Sequence, residues 1–239
     1  MKDSKEPIIV ALDVDDLESA GKLIEEVGSE VGGFKVGLQI LTRVGPPAAV
    51  KFVQERGGQV FLDGKFYDIP NTTGKAARAA AELGVKMFNV HASSGIDGMM
   101  AAVENKGNSL VLAVTVLTSF DEEPGNLILG GPTKVKVLQF ARDAKLAGCD
   151  GVVCSPQELA LLGKRKELGA DFLKVTPGVR PAWADPNDQK RIMTPGEAIK
   201  AGAHYLVIGR PIYNPPEEIG SPLEAVKRIQ EEIAMAWAA

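Results

Sequence analysis

The chain has 239 residues, 24% charged and 45% hydrophobic, an ordinary globular composition with ample apolar material for a core. Its formal charge of −4 supplies no broad positive field for nucleic acid or anionic lipid. No apolar run approaches the ~18 residues of a membrane span, and the charged stretch before Ile8 lacks the apolar segment of a signal peptide.

In chain order, short runs rich in Val, Ile, Leu and Phe read as buried parallel strands at 8–13, 34–38, 59–65, 87–91, 110–117, 151–155, 172–177 and 205–209. Helical spacing occupies 16–27, 46–56, 72–83, 133–147, 156–168 and 222–237, with Asp16, Ser94, Ser155 and Ser221 as predicted N-caps. Two long loops, 118–131 and 180–191, follow the fifth and seventh strands and have the length of lids or binding loops. Eight strands, each followed by helical or potentially helical sequence at a repeat of about 30 residues, predict an α/β fold. The expected architecture is a (β/α)₈ TIM barrel, one domain spanning 1–239. An open doubly wound sheet would place G-x-G-x-x-G after the first strand, where Leu12-Asp13-Val14-Asp15 stands instead. The glycines at 125–130 lack the Lys-Ser/Thr of a P-loop. Cys149 and Cys154 form neither a disulfide framework nor a CxxC pair, and read as buried thiols in a reducing cytoplasm.

In such a barrel, functional groups lie at the carboxyl ends of the strands. Charged residues within otherwise apolar strands are therefore the candidates: Asp13, Lys35, Asp63, Lys65, His91 and Lys174. Asp63 and Lys65 are two apart, so on a strand they share one face. If that face is the interior, neither charge persists there without the other. A strand-end salt bridge that merely positions loops is the competing reading for Asp-x-Lys alone, but Lys35 and further aspartates converging on the same mouth favour chemistry. Gly178-Val179-Arg180 and Gly209-Arg210, after strands seven and eight, suit an anion: backbone N–H groups exposed at glycines and two guanidinium forks. His91 has no second ligand at suitable spacing, so no metal is expected. His204 falls at the opposite end of the barrel, and Trp183 reads as a loop-packing residue.

The segment Asp63-Gly64-Lys65-Phe66-Tyr67-Asp68-Ile69-Pro70-Asn71-Thr72 resembles the D-x-K-x-x-D-I-P-N-T signature of the orotidine 5′-phosphate decarboxylase family. Ala11-Leu12-Asp13, Phe34-Lys35-Val36-Gly37, Asn89-Val90-His91-Ala92, Val116-Leu117-Thr118-Ser119, Thr176-Pro177-Gly178-Val179-Arg180 and Ile208-Gly209-Arg210-Pro211 are similar to the family in order, closest to its shorter bacterial type. Two departures stand out: Gly64, where the family more often has a larger apolar residue, and Pro186-Asn187 in the loop after Arg180.

The resemblance implies a cofactor-free and metal-free decarboxylation of orotidine 5′-monophosphate to UMP. It assigns Lys35, Asp63, Lys65 and Asp68 to catalysis, with Lys65 stabilising and protonating the carbanion. It assigns substrate contacts to Asp13, Lys35, Ile69, Thr72, Thr118, Arg180, Gln189, Gly209 and Arg210. It further implies a homodimer in which Asp68, Ile69 and Thr72 complete the neighbouring subunit's site. Three alternatives stay open: a Mg²⁺-dependent relative in the same barrel group, a Schiff-base aldolase using Lys174 or Lys65, and an inactive phosphate-binding barrel.

Overall fold

The computed structural model describes residues 3–184 and 193–238. Eight parallel strands close into a barrel in sequence order: β1 (Ile8–Ala11), β2 (Gly33–Val36), β3 (Val60–Phe66), β4 (Met87–His91), β5 (Leu110–Val114), β6 (Gly151–Val153), β7 (Leu173–Pro177) and β8 (Tyr205–Ile208). β8 closes on β1 through Ile8↔Leu206 and Val10↔Ile208. The expected (β/α)₈ barrel is the fold found. No helix among the described residues is long and apolar enough to cross a membrane.

Side-chain alternation divides the core into two shells. Ile9, Ala11, Phe61, Met87, Leu112, Val175 and Val207 point inward and fill the barrel. Their neighbours Ile8, Val10, Phe34, Leu62, Phe88 and Val90 point outward under the helices. The same alternation puts Lys35, between outward Phe34 and Val36, and Asn89, between outward Phe88 and Val90, inside the barrel. Polar interior positions thus sit above an apolar floor.

The outer layer consists of α1 (Leu17–Val27), α2 (Leu38–Val44), α3 (Pro46–Gln54), α4 (Pro70–Glu82), α5 (Gly95–Glu104), α6 (Glu122–Leu129), α7 (Thr133–Leu146), α8 (Leu159–Gly163), α9 (Pro195–Lys200), α10 (Arg210–Tyr213) and α11 (Pro222–Ala238). Asp16 caps α1 by accepting from the Ser19 N–H at 2.7 Å, and Ser221 accepts from Glu224 N–H ahead of α11. Ser94 does not cap with its side chain; its hydroxyl donates to the His91 carbonyl instead.

Two further expectations need correction. The loop at 118–131 contains α6, which begins with Glu122 and Glu123 and ends at Gly130 in the left-handed conformation. Glu122 anchors it by accepting from the Thr133 N–H at 3.0 Å and from the Thr133 hydroxyl. The single helix expected at 156–168 is a 3₁₀ turn, the short α8 and a second 3₁₀ turn. Arg165, at φ −94° and ψ 89°, leaves helical geometry there, and Leu168 is buried in the core beyond it.

The amino-end rim of the barrel is tied by its own polar contacts. Lys106 Nζ meets both Asp150 oxygens at 2.6 and 2.7 Å, while Asp150 also accepts from the Val111 N–H. Ser109 donates to the Val85 carbonyl, and the Lys174 N–H donates to His204 Nδ1. His204 therefore lies at this end, as expected.

Gly151 marks the tightest strand contact. A Cβ there would fall 2.2 Å from the Leu173 carbonyl oxygen, an overlap with backbone that no rotamer relieves. Gly151→Ala is expected to push β6 off β7 and destabilise the fold by about 1–3 kcal/mol. Urea unfolding measures it; an unchanged midpoint would contradict the contact.

Candidate active site

A cavity of about 280 Å³ opens at the carboxyl ends of the strands, room for one small molecule. Charged side chains gather on its β1–β3 side. Asp13 follows β1, Lys35 lies on β2, and Asp63 and Lys65 lie on β3. Lys35 Nζ stands 3.0 Å from Asp13 Oδ1 and 3.3 Å from Asp63 Oδ2. Lys65 Nζ stands 2.7 Å from Asp63 Oδ1. Asp63 is therefore held between two ammonium groups, one on each oxygen, and only 9% of its side chain is exposed.

β3 reaches this arrangement through an irregularity. Leu62 pairs with Phe88 and Phe66 with Val90, so Asp63, Gly64 and Lys65 stand opposite the single residue Asn89. This bulge carries Lys65 into the left-handed region at φ 50°, the one non-glycine residue with positive φ among those described. Such a backbone costs roughly 1–2 kcal/mol, and the structure around it must hold it in place. Asn89, buried on β4, accepts from the Lys65 N–H at 2.8 Å and donates to Asp63 Oδ1 at 2.7 Å. Its signal in the sequence was a polar amide at an inward position of the apolar run 87–91, two residues before His91. A larger side chain at Gly64 would require the Phe66 ring to shift: a Cβ would lie 2.8 Å from that ring, which packs on Phe88 at 5.7 Å.

The far side of the cavity is built from β5 to β8. Val114, Thr118, Val153 and Cys154 line it, followed by Gly178, Arg180, Gly209, Arg210 and Tyr213. Gly178 turns the chain at φ 76°, and Arg180 is secured by its N–H on the Met193 carbonyl at 2.9 Å. Four cations, Lys35, Lys65, Arg180 and Arg210, face two carboxylates, Asp13 and Asp63. Among the described residues the cavity lining carries a surplus of two positive charges in a chain of net charge −4, which selects an anionic ligand. Tyr213 was not anticipated; it lies in the short turn after Arg210, where no periodicity signals it.

Some expected residues lie elsewhere. Asp68, Ile69 and Thr72 are exposed at the start of α4 and do not line this cavity; the Asp68 carboxylate accepts from the Ile69 N–H. Gln189 lies outside the described residues. Lys174 sits toward the opposite rim and does not line the cavity, so it is no Schiff-base candidate there. His91 contacts Tyr67 edge to face at 5.7 Å; burial, then Lys65, depresses its pKa. Trp183 packs against the core. Both cysteines are free and buried, and burial pushes the Cys149 thiol up to about 12 and Cys154 up as well.

A closed barrel with paired, buried charges at the carboxyl ends of its strands is the architecture of a (β/α)₈-barrel enzyme. The family model described as "Orotidine 5′-phosphate decarboxylase / HUMPS family" matches residues 6–229, and the chain belongs to that family. It is 48% identical to the orotidine 5′-phosphate decarboxylase of Moorella thermoacetica over 97% of this chain and 94% of that one. It is also 48% identical to that of Geobacter sulfurreducens, over 96% and 97% of the two chains. Among solved structures, the orotidine 5′-phosphate decarboxylase of Lactobacillus acidophilus superposes with a TM-score of 0.79 at 35% identity, covering 95% of this chain and 99% of that one.

Burial alone would raise the Asp63 pKa, but Lys35, Lys65 and the hydrogen bonds from Lys65 and Asn89 outweigh it and hold it below 3.8. Burial likewise opposes the charge on Lys35, but Asp63 and Asp13 outweigh it and hold its pKa above 10.5. A lowered carboxylate stabilises the fold above its ordinary pKa and ceases to do so as pH falls through the native value. A raised lysine stabilises below its ordinary pKa and is lost as pH rises through the native value. Lys35→Met should therefore lower the Tm at neutral pH. The gap from wild type should narrow in acid as Asp63 takes up a proton. A gap that stays constant from about pH 7 down to about pH 3 would refute the pairing.

Proposed function

We propose that this chain decarboxylates orotidine 5′-monophosphate to UMP and CO₂ as one (β/α)₈ domain of the cytoplasm, without cofactor or metal. The observation that carries the reading is the Lys35–Asp63–Lys65 array at one side of a cation-rich cavity. Loss of CO₂ leaves an electron pair on the C6 carbon of the pyrimidine, with no cofactor to delocalise it. A fixed cation beside that carbon supplies the stabilisation directly. The Lys65 ammonium is that cation. As the C6–carboxylate bond breaks and CO₂ departs, Lys65 delivers a proton to C6 and is reprotonated from solvent.

Asp63 keeps Lys65 aimed, and its own charge faces the departing carboxylate, so that decarboxylation relieves a repulsion. Both Asp63 oxygens are already occupied by ammonium groups, which favours direct electrostatics over a metal bridge. Lys35 orients Asp63 and, with Asp13, contacts the ribose. Arg180, Gly209 and Arg210, with Gln189, hold the phosphate, and Thr118 reads the pyrimidine edge. Binding energy from the remote phosphate is then available to offset strain at the reacting carbon.

Asp68, Ile69 and Thr72 fit a site shared across a homodimer. They are exposed beside Tyr67, and Ile69 and Tyr67 are 66% and 62% exposed. Ile96 and Met100 on α5, which packs along α4, add to the exposed apolar surface. A two-fold contact through this face would cover it and carry Asp68 into the partner's cavity.

Two measurements test these assignments. With EDTA-treated protein, Lys65→Ala is expected to lower kcat by more than about a thousandfold while UMP still binds. A loss below about tenfold would remove Lys65 from its role, and loss of wild-type activity in EDTA would point to the Mg²⁺-dependent relatives. Mixing inactive Lys65→Ala with inactive Asp68→Ala should restore up to about a quarter of wild-type activity, because each mixed dimer regains one intact site. No recovery after subunit exchange would place Asp68 in its own subunit's site or outside catalysis.

A further inference from the structure

Asn89 is 1% exposed and lies inside the barrel, opposite three residues of β3. Inside the bulge the Lys65 N–H is taken up by a side chain, meeting Asn89 Oδ1 at 2.8 Å. The other end of the same amide donates to Asp63 Oδ1 at 2.7 Å, the oxygen that also receives Lys65 Nζ at 2.7 Å. One side chain thus grips Lys65 at its backbone and, through Asp63, at its amine. The chemistry of the amide is specific to this task. A carboxylate at 89 would accept from Lys65 but repel Asp63, and a hydroxyl has a single heavy atom for two sites.

We propose that Asn89 is a positioning residue for the decarboxylation: it locks the left-handed backbone of Lys65 and the Asp63 carboxylate into one rigid unit that sets the amine at the reacting carbon. The proposal rests on the reading of the site given above and adds a residue to it. Asn89 borders the cavity, but its side-chain hydrogen bonds go to Lys65 and Asp63, whereas the groups assigned to phosphate and pyrimidine belong to the segments after β5, β7 and β8. Its loss should therefore separate turnover from binding, which loss of a merely space-filling residue would not do.

The test compares wild type, Asn89→Ala and the near-isosteric Asn89→Asp, with kcat, KM for orotidine 5′-monophosphate, Kd for UMP and a crystal structure of each variant. In Asn89→Ala, kcat is expected to fall about 100-fold or more, the scale of a ~1 Å misplacement, with KM and the UMP Kd within about threefold of wild type. Asn89→Asp retains the acceptor for Lys65 and loses the donor to Asp63. It should also lose turnover while binding UMP, and it carries the test if Asn89→Ala does not fold. A kcat within threefold of wild type in either folded variant overturns the proposal, as does an equal loss of kcat and UMP affinity. If wild type itself fails to turn over the nucleotide, the decarboxylase reading falls separately and the crystal structures decide. A displaced Lys65 amine would then support positioning by Asn89, whereas an unmoved amine on Asp63 with φ still positive would overturn it.

Discussion

The interaction on which the site depends is the clamping of one buried carboxylate between two lysines. Asp63 would be expensive inside the barrel alone, and so would either ammonium. Together they are mutually compensated, with Asp13 taking the outer side of Lys35 and Asn89 sharing Asp63 Oδ1 with Lys65. Removing one partner leaves an uncompensated charge, so the array behaves as a unit. Strand geometry makes that unit possible: Lys35 pairs across the ladder with Ala11 and Phe61, which brings β1, β2 and β3 residues to one level of the barrel.

Much of this was legible in the sequence, for a physical reason. Buried parallel strands are continuous apolar runs, so the strands announced themselves, and a charge inside such a run, as at Lys35 or Asp63, is conspicuous. The shared face of Asp63 and Lys65 followed from the two-residue period. What that period did not convey is the route: β3 bulges and Lys65 turns left-handed, so the regular-strand argument reached a correct juxtaposition through an irregular backbone. Asn89 escaped notice because its meaning lies in a register shift that only pairing reveals.

The failures have equally local causes. The α6 segment has exposed Leu127 and Ile128 and a glycine within it, and so lacks the one-sided apolar pattern that identifies a packed helix. The chain at 156–168 has helical spacing, but Gly163 and the charged run Lys164-Arg165-Lys166 interrupt it between the turn that buries Leu159 and Leu162 and the one that buries Leu168. Gly64, which departs from the family pattern, is matched by Phe66, whose ring occupies the adjoining space and rests on Phe88.

The two rims of the barrel divide their labour. Lys106–Asp150, Ser109 with Val85, and Lys174 with His204 bind the amino-end rim, on the far side of the apolar floor from Asp63 and its lysines. Between the lower rim and the upper one lie the strands and the packed apolar side chains of that floor. A lineage of such proteins is therefore free to drift in heat tolerance by exchanging residues at one end while the geometry at the other stays under separate selection.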